Sequence, residues 1–206
     1  MKYQAKGFTL IELLVVIAIV AILSVVVILV LNPAELLRQS RDSNRISDMS
    51  TLRSALSLYL ADVTSPTLAP DSTHCFASTT STVGAGNGCG GRFTIALTQT
   101  VSTATTTAAL RKIDGSGWAG GNGTTGGPVL SNISSGSPIS QLPLDPTDVA
   151  PYYYAYAAST TFNTFIFNSH MESVKYKSGG SGDVESTDGG SSSTLYEVGT
   201  APGLNL

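Results

Sequence analysis

Charge is scarce in this chain. Of its 206 residues only 12% are Asp, Glu, Lys or Arg, against about 25% in ordinary soluble domains, so either neutral polar groups keep it dissolved or part of it is not in water. Serine and threonine, 27 and 24 residues, carry most of the polarity. There is no basic cluster and the net charge is −3, which argues against direct nucleic-acid binding. No G-x-S-x-G, H-E-x-x-H or Walker loop occurs, and the two histidines, His74 and His170, have no convincing nucleophile to serve. The chain therefore reads as something other than an enzyme. The length is short for an α/β barrel, and the turn-rich second half lacks the strand and helix alternation of a doubly wound sheet.

What the chain does have is a membrane-length apolar run. Residues 13–31 read LLVVIAIVAILSVVVILVL, with Ser24 the only polar position, and the apolar character reaches back through Phe8, Leu10 and Ile11. As a helix, residues 8–31 cover roughly 36 Å, enough for a hydrocarbon core of about 30 Å. A cleaved secretory signal would have a shorter apolar stretch and a small-residue site behind it; here the run continues into Asn32, Pro33 and charged residues. An uncleaved signal anchor fits better, yet explains neither Gly7 nor the acid at position 12. Glu12 stands among apolar neighbours, where an ionised group is costly unless it has a partner or lies near an end. Thr9-Leu10-Ile11-Glu12 also matches the capping box S/T-x-x-E, which places a helix start at Thr9.

The string Lys6-Gly7-Phe8-Thr9-Leu10-Ile11-Glu12-Leu13-Leu14 resembles the processing motif of type IV pilins and of the pseudopilins of type II secretion systems. The similarity is strong over residues 6–31, continues more loosely to about residue 62, and fades beyond. The resemblance implies a leader of residues 1–7, removed after Gly7 by a membrane prepilin peptidase that then methylates the new amine of Phe8. A residue without Cβ lets an extended backbone pass close to catalytic groups. It further implies that Glu12 pairs with the Phe8 amine of a neighbouring subunit as the helix enters a filament, with capping as a second role. Removing one member of a buried pair strands the other charge, at about 3 to 5 kcal/mol.

Pro33 lacks an amide proton, so Asn32-Pro33 should disturb the helix. The residues allow two forms of this, a single helix kinked at Pro33 or a second helix with Pro33 in its first turn and Asn32 as its cap; the resemblance favours the kinked helix. Met49, Leu52, Leu56, Tyr59, Leu60 and Val63 then recur at spacings of three and four, an amphipathic helix lying on a domain and stopped near Asp62 by Thr64-Ser65-Pro66. Glu35, Arg38, Arg41, Asp42, Arg45, Asp48 and Arg53 read as its solvated face.

Residues 63–206 should form an extracytoplasmic head. Cys75 and Cys89, the only cysteines, flank a glycine-rich segment, and a disulfide suits an exported head. Residues 97–112 are expected to give one or two short helices, Trp118 a core plug ahead of a glycine loop, and residues 152–156 and 161–168 a hairpin turning at Ala158-Ser159-Thr160. Residues 194–198 add a last strand. The expected fold class is α+β, pilin-like: a long N-terminal helix, membrane-spanning in its first half and amphipathic in its second, packed on a small antiparallel sheet. Asp183, Glu185 and Asp188 are calcium candidates by residue type, although a solvated turn explains them as well and no EF-hand spacing is present. No other cofactor is expected. Asn122-Gly-Thr124 and Asn132-Ile-Ser134 match the glycosylation acceptor pattern.

These readings combine into a prepilin: a single-pass precursor in a bacterial or archaeal cytoplasmic membrane, head outside, later part of an extracellular filament. Its partners would be copies of itself or related subunits, the prepilin peptidase, the inner membrane and the pilus assembly or secretion machinery. One alternative is a low-copy pseudopilin of type II secretion or DNA uptake. Another, of a different class, is a signal-anchored exported enzyme or binding domain.

Overall fold

The computed structural model describes residues 7–79, 87–93, 97–100, 106–121 and 126–201. By internal contacts the chain divides into residues 1–38 and residues 39–206. Residues 1–6 of the expected leader, residues 101–105 of the expected short helices, and the Asn122 acceptor lie outside the described residues.

In the first unit, helix α1 (Leu10–Leu31) begins at the N-cap Thr9, as its capping box dictates. Its single hydroxyl is satisfied within the helix, Ser24 Oγ donating to the Val20 carbonyl at 2.7 Å. The disturbance at Asn32-Pro33 takes the second of the two forms. Asn32 adopts the left-handed conformation (φ 39°, ψ 71°) and ends α1, and helix α2 (Pro33–Asp62) starts afresh. The Asn32 carbonyl accepts from the amides of Glu35 (2.9 Å) and Leu36 (3.3 Å), and its Oδ1 accepts from Glu35 N at 3.4 Å. Asparagine tolerates the left-handed region, and a first-turn proline has no amide to satisfy, so a one-residue break costs less than a proline inside a continuous ladder.

In the second unit, α2 buries Met49, Leu52, Ala55, Leu56 and Tyr59, the stripe expected from their spacing. Five strands form one sheet in the order β2-β1-β3-β4-β5: β1 (His74–Ala77), β2 (Thr98–Thr100), β3 (Ala155–Ser159), β4 (Thr164–Ser169) and β5 (Tyr196–Gly199). Strands β1, β3, β4 and β5 pair antiparallel, and β2 joins β1 in parallel at one edge. Alternation sorts the two faces. Phe76, Tyr156, Ala158, Phe165, Phe167 and Val198 share the main core with the α2 stripe, Trp118, Leu110 and Leu130. Cys75, Ala77, Ala155, Ala157 and Ile166 form a second cluster with Cys89, Phe93, Leu97 and Tyr153. The α+β fold is as expected, with aromatic side chains facing the helix.

Trp118 is fully buried, its ring 5.8 Å from Phe167 edge-on and its Nε1 donating to the Pro143 carbonyl at 2.9 Å. The loop behind it needs glycine at Gly120, where φ is +86° and a Cβ would stand 2.5 Å from the Leu68 carbonyl oxygen. Cys75 and Cys89 are disulfide-bonded across 14 residues.

Three expectations in the head shift. Among the described residues, 97–112 supply β2 and the short helix α3 (Thr107–Leu110), because threonine-rich sequence suits strands at least as well as helices. The tyrosines Tyr152, Tyr153 and Tyr154 precede β3, and the hairpin turns at residues 160–163 with Asn163 left-handed (φ 51°). Strand β1 had no periodic signal of its own.

The largest correction concerns the charged residues of α2. Arg45 and Asp42 are fully buried, and the apparent solvated face is partly an ion network. Arg45 donates to Asp145 from Nε (2.7 Å) and Nη2 (2.8 Å), to Asp42 from Nη1 (2.8 Å) and to Thr147 Oγ1 (2.9 Å), and its Nη2 lies 2.6 Å from Glu172. Arg41 holds the other side of Glu172. Asp42 also accepts the amides of Glu172 (2.9 Å) and Ser173 (2.7 Å). Asp48 accepts the Tyr154 hydroxyl at 2.7 Å. The signal was present: Arg45 stands four residues before Met49 and seven before Leu52, on the apolar stripe itself.

Candidate functional site

The residues that carry the processing motif lie at the start of α1. Gly7 and Phe8 are exposed, non-helical chain, and Phe8 is 89% exposed. The Gly7–Phe8 bond is therefore outside the helical ladder, where a backbone can be drawn extended. A Cβ built at Gly7 meets nothing within 4 Å. Among the described residues, nothing in the fold of this chain demands glycine there.

Thr9 is extended (φ −79°, ψ 153°) and sets where the helix starts. Its Oγ1 accepts from the Glu12 amide at 3.3 Å, while Glu12 Oε2 accepts from Thr9 N (2.8 Å) and Thr9 Oγ1 (2.7 Å). The capping box is thus closed in both directions, and Glu12 occupies a definite position one turn above Phe8. The carboxylate favours the positive end of the helix dipole. Phe8, Ile11, Glu12, Val15 and Val16 line a shallow open recess in which, among the described residues, that carboxylate is the only charged side chain.

From here α1 presents apolar surface in every direction. Leu10 (82%), Ile11 (69%) and Ile22 (67%) are exposed, and none of the helix's most apolar stretch is buried within the chain. A soluble protein does not leave such a surface in water; it requires lipid or the flanks of other helices.

The calcium candidates do not converge. Asp183 accepts from the amides of Gly179 (2.8 Å) and Ser186 (2.9 Å), Glu185 from those of Met171 (3.0 Å) and Ser178 (3.2 Å), and Asp188 from those of Gly190 (2.8 Å) and Glu197 (2.5 Å). Asp183 thus closes its own turn, while Glu185 and Asp188 tie their loop to Met171 and to Glu197. Among the described residues no group of three or more His, Cys, Asp or Glu side chains stands in a metal-holding arrangement. Asn132 is exposed, but the Ser134 hydroxyl of its acceptor pattern donates to Asp62 Oδ2 at 2.8 Å.

Residues 2–28 match the family described as the prokaryotic N-terminal methylation motif. The chain carries the prepilin and pseudopilin signature. This methylation motif takes in Gly7, Phe8, the closed capping box and most of α1, and residues 29–206 lie outside it. No curated protein and no solved structure matches the chain. The signature and the apolar helix together describe a membrane-anchored precursor of the prepilin type.

Proposed function

We propose that the chain is a structural subunit of a type IV pilus-like filament. Its leader, residues 1–7, is removed after Gly7 by a prepilin peptidase, and Phe8 becomes N-methylated. The apolar helix α1 is held in the cytoplasmic membrane with the head, residues 63–206, outside. It later passes from lipid into the core of a bundle of like helices. The observation that carries this reading is a helix apolar on all sides that begins directly behind an exposed, non-helical Gly-Phe bond within the methylation motif.

Glu12 sets the step. Once Phe8 has a free amine, its positive charge and the carboxylate one turn above it are both costly in an apolar bundle, and each is neutralised by pairing with its counterpart on the next subunit. The same contact repeated by rotation and translation gives an open helical polymer. The head, closed by its disulfide and ion network, forms the outer surface. Each feature suits a structural subunit, with no catalytic step assigned to the chain.

Filaments sheared from the surface of source cells test the proposal. The expected result is that this chain is a principal component of the sheared material. Recovery from the envelope alone, with none in filaments, would instead assign it to a low-copy pseudopilin.

A further inference from the structure

We propose that the head carries a binding pocket for a small oxyanion, a carboxylate or phosphate on a sugar-sized group, between Arg92 and the three serines Ser191, Ser192 and Ser193. A cavity of about 380 Å³ is lined by Gly91, Arg92, Phe93, Leu195 and those serines, which is the size range of small-molecule sites. Phe93 and Leu195 are buried and supply an apolar wall; Ser191 and Ser193 are exposed at the mouth.

Arg92 is the unusual element. It is 4% exposed, yet among the described residues the acceptors that hold it are neutral: the Tyr153 carbonyl (2.7 Å), the Pro151 carbonyl and Asn168 Oδ1 (3.3 Å). Its guanidinium lies on the Tyr153 ring, 3.5 Å from the centroid. A guanidinium offers five N–H donors, and these bonds use three. The acid acting on Arg92 through space is Asp145, and that carboxylate is already held by two bonds from Arg45. A buried cation normally has a bonded counter-anion. Burial pulls the Arg92 pKa down to about 10.

The serine loop is fixed from below, where Glu197 accepts the Ser192 amide at 2.8 Å, and Ser191, Ser192 and Ser193 all line the pocket. A Cβ at Gly190 would stand 2.2 Å from Glu197 Oε2, so a side chain there would displace that carboxylate. Charge from Arg92 with hydroxyl groups around the rim suits an anionic group that carries hydroxyls of its own.

Calorimetric titration of the purified full chain in detergent with sodium glucuronate, sodium phosphate and, as a neutral control, glucose decides the matter. The expected result is saturable binding of glucuronate or phosphate, whichever bears the fitting oxyanion, with no binding of glucose. Ser191→Trp and Ser193→Trp, both at exposed positions, should block the mouth and weaken that binding about tenfold or more without altering thermal unfolding. Higher salt should weaken it as well. The proposal is overturned if neither anion binds saturably, if glucose binds as well as glucuronate, or if the blocked variants bind as the parent does.

Discussion

Glu12 has two roles that one substitution separates. Glutamine can replace glutamate in a capping box, so Glu12→Gln keeps the bonds to Thr9 and removes only the charge. We expect this variant to insert in the membrane normally and to form few or no filaments, read by counting filaments on cells; normal filament numbers would reduce Glu12 to a cap. A second residue concerns stability. Asp148 is left-handed (φ 47°), and its Oδ1 is buried with no hydrogen-bond partner among the described residues. Burial, and then the charge of Asp145, raise its pKa to about 6. A raised carboxylate binds its proton more tightly in the folded state, so its contribution to stability declines as pH rises from about 4 to about 6 and stays low above that. Asp148→Asn should therefore stabilise the head at pH 7 by about 1 kcal/mol, a modest figure because the side chain is partly solvated, and should gain little at pH 4; denaturant melts at the two pH values check this.

At the scale of elements, α2 and the segments around Asp145 and Glu172 are joined by charges that composition alone disguises. Arg45→Met removes the cation but leaves Asp42 and Asp145 buried without it, so we expect a loss of about 3 to 5 kcal/mol in urea unfolding. A variant as stable as the parent would mean the network contributes only specificity. Glu172 is held down to about 2, first by Arg41. Its contribution is complete above the usual glutamate value and is lost as pH falls towards 2. The disulfide works differently, by restricting the unfolded chain. Cys75→Ser with Cys89→Ser should cost about 3 kcal/mol in the same assay. An unbroken apolar run made α1 legible, and residue spacing made α2 and the β3-β4 hairpin legible, because each carries its signal locally. Strands β1 and β2 were not legible, since they exist only by pairing with each other and with β3 across long sequence separations. Arg45 was misread because charge was taken as a sign of solvent, although its position on the Met49 and Leu52 stripe pointed inward.

For the whole molecule, the candidate site was more legible than the head that accompanies it. The start of α1 is fixed by local rules, a capping box and an unbroken apolar run, and residues 2–28 carry a recognisable family motif. The head is built from long-range contacts in a sequence rich in serine, threonine and glycine, which gives few local signals. The central claim is that α1 is made to be released from a leader and transferred from lipid into a polymer. Intact-mass and amino-terminal peptide analysis of the chain isolated from its source cells tests this most directly. The account predicts a chain that begins at Phe8 and carries one added methyl group on its amine. A mature chain that still begins at Met1, with its amine unmethylated, would contradict it.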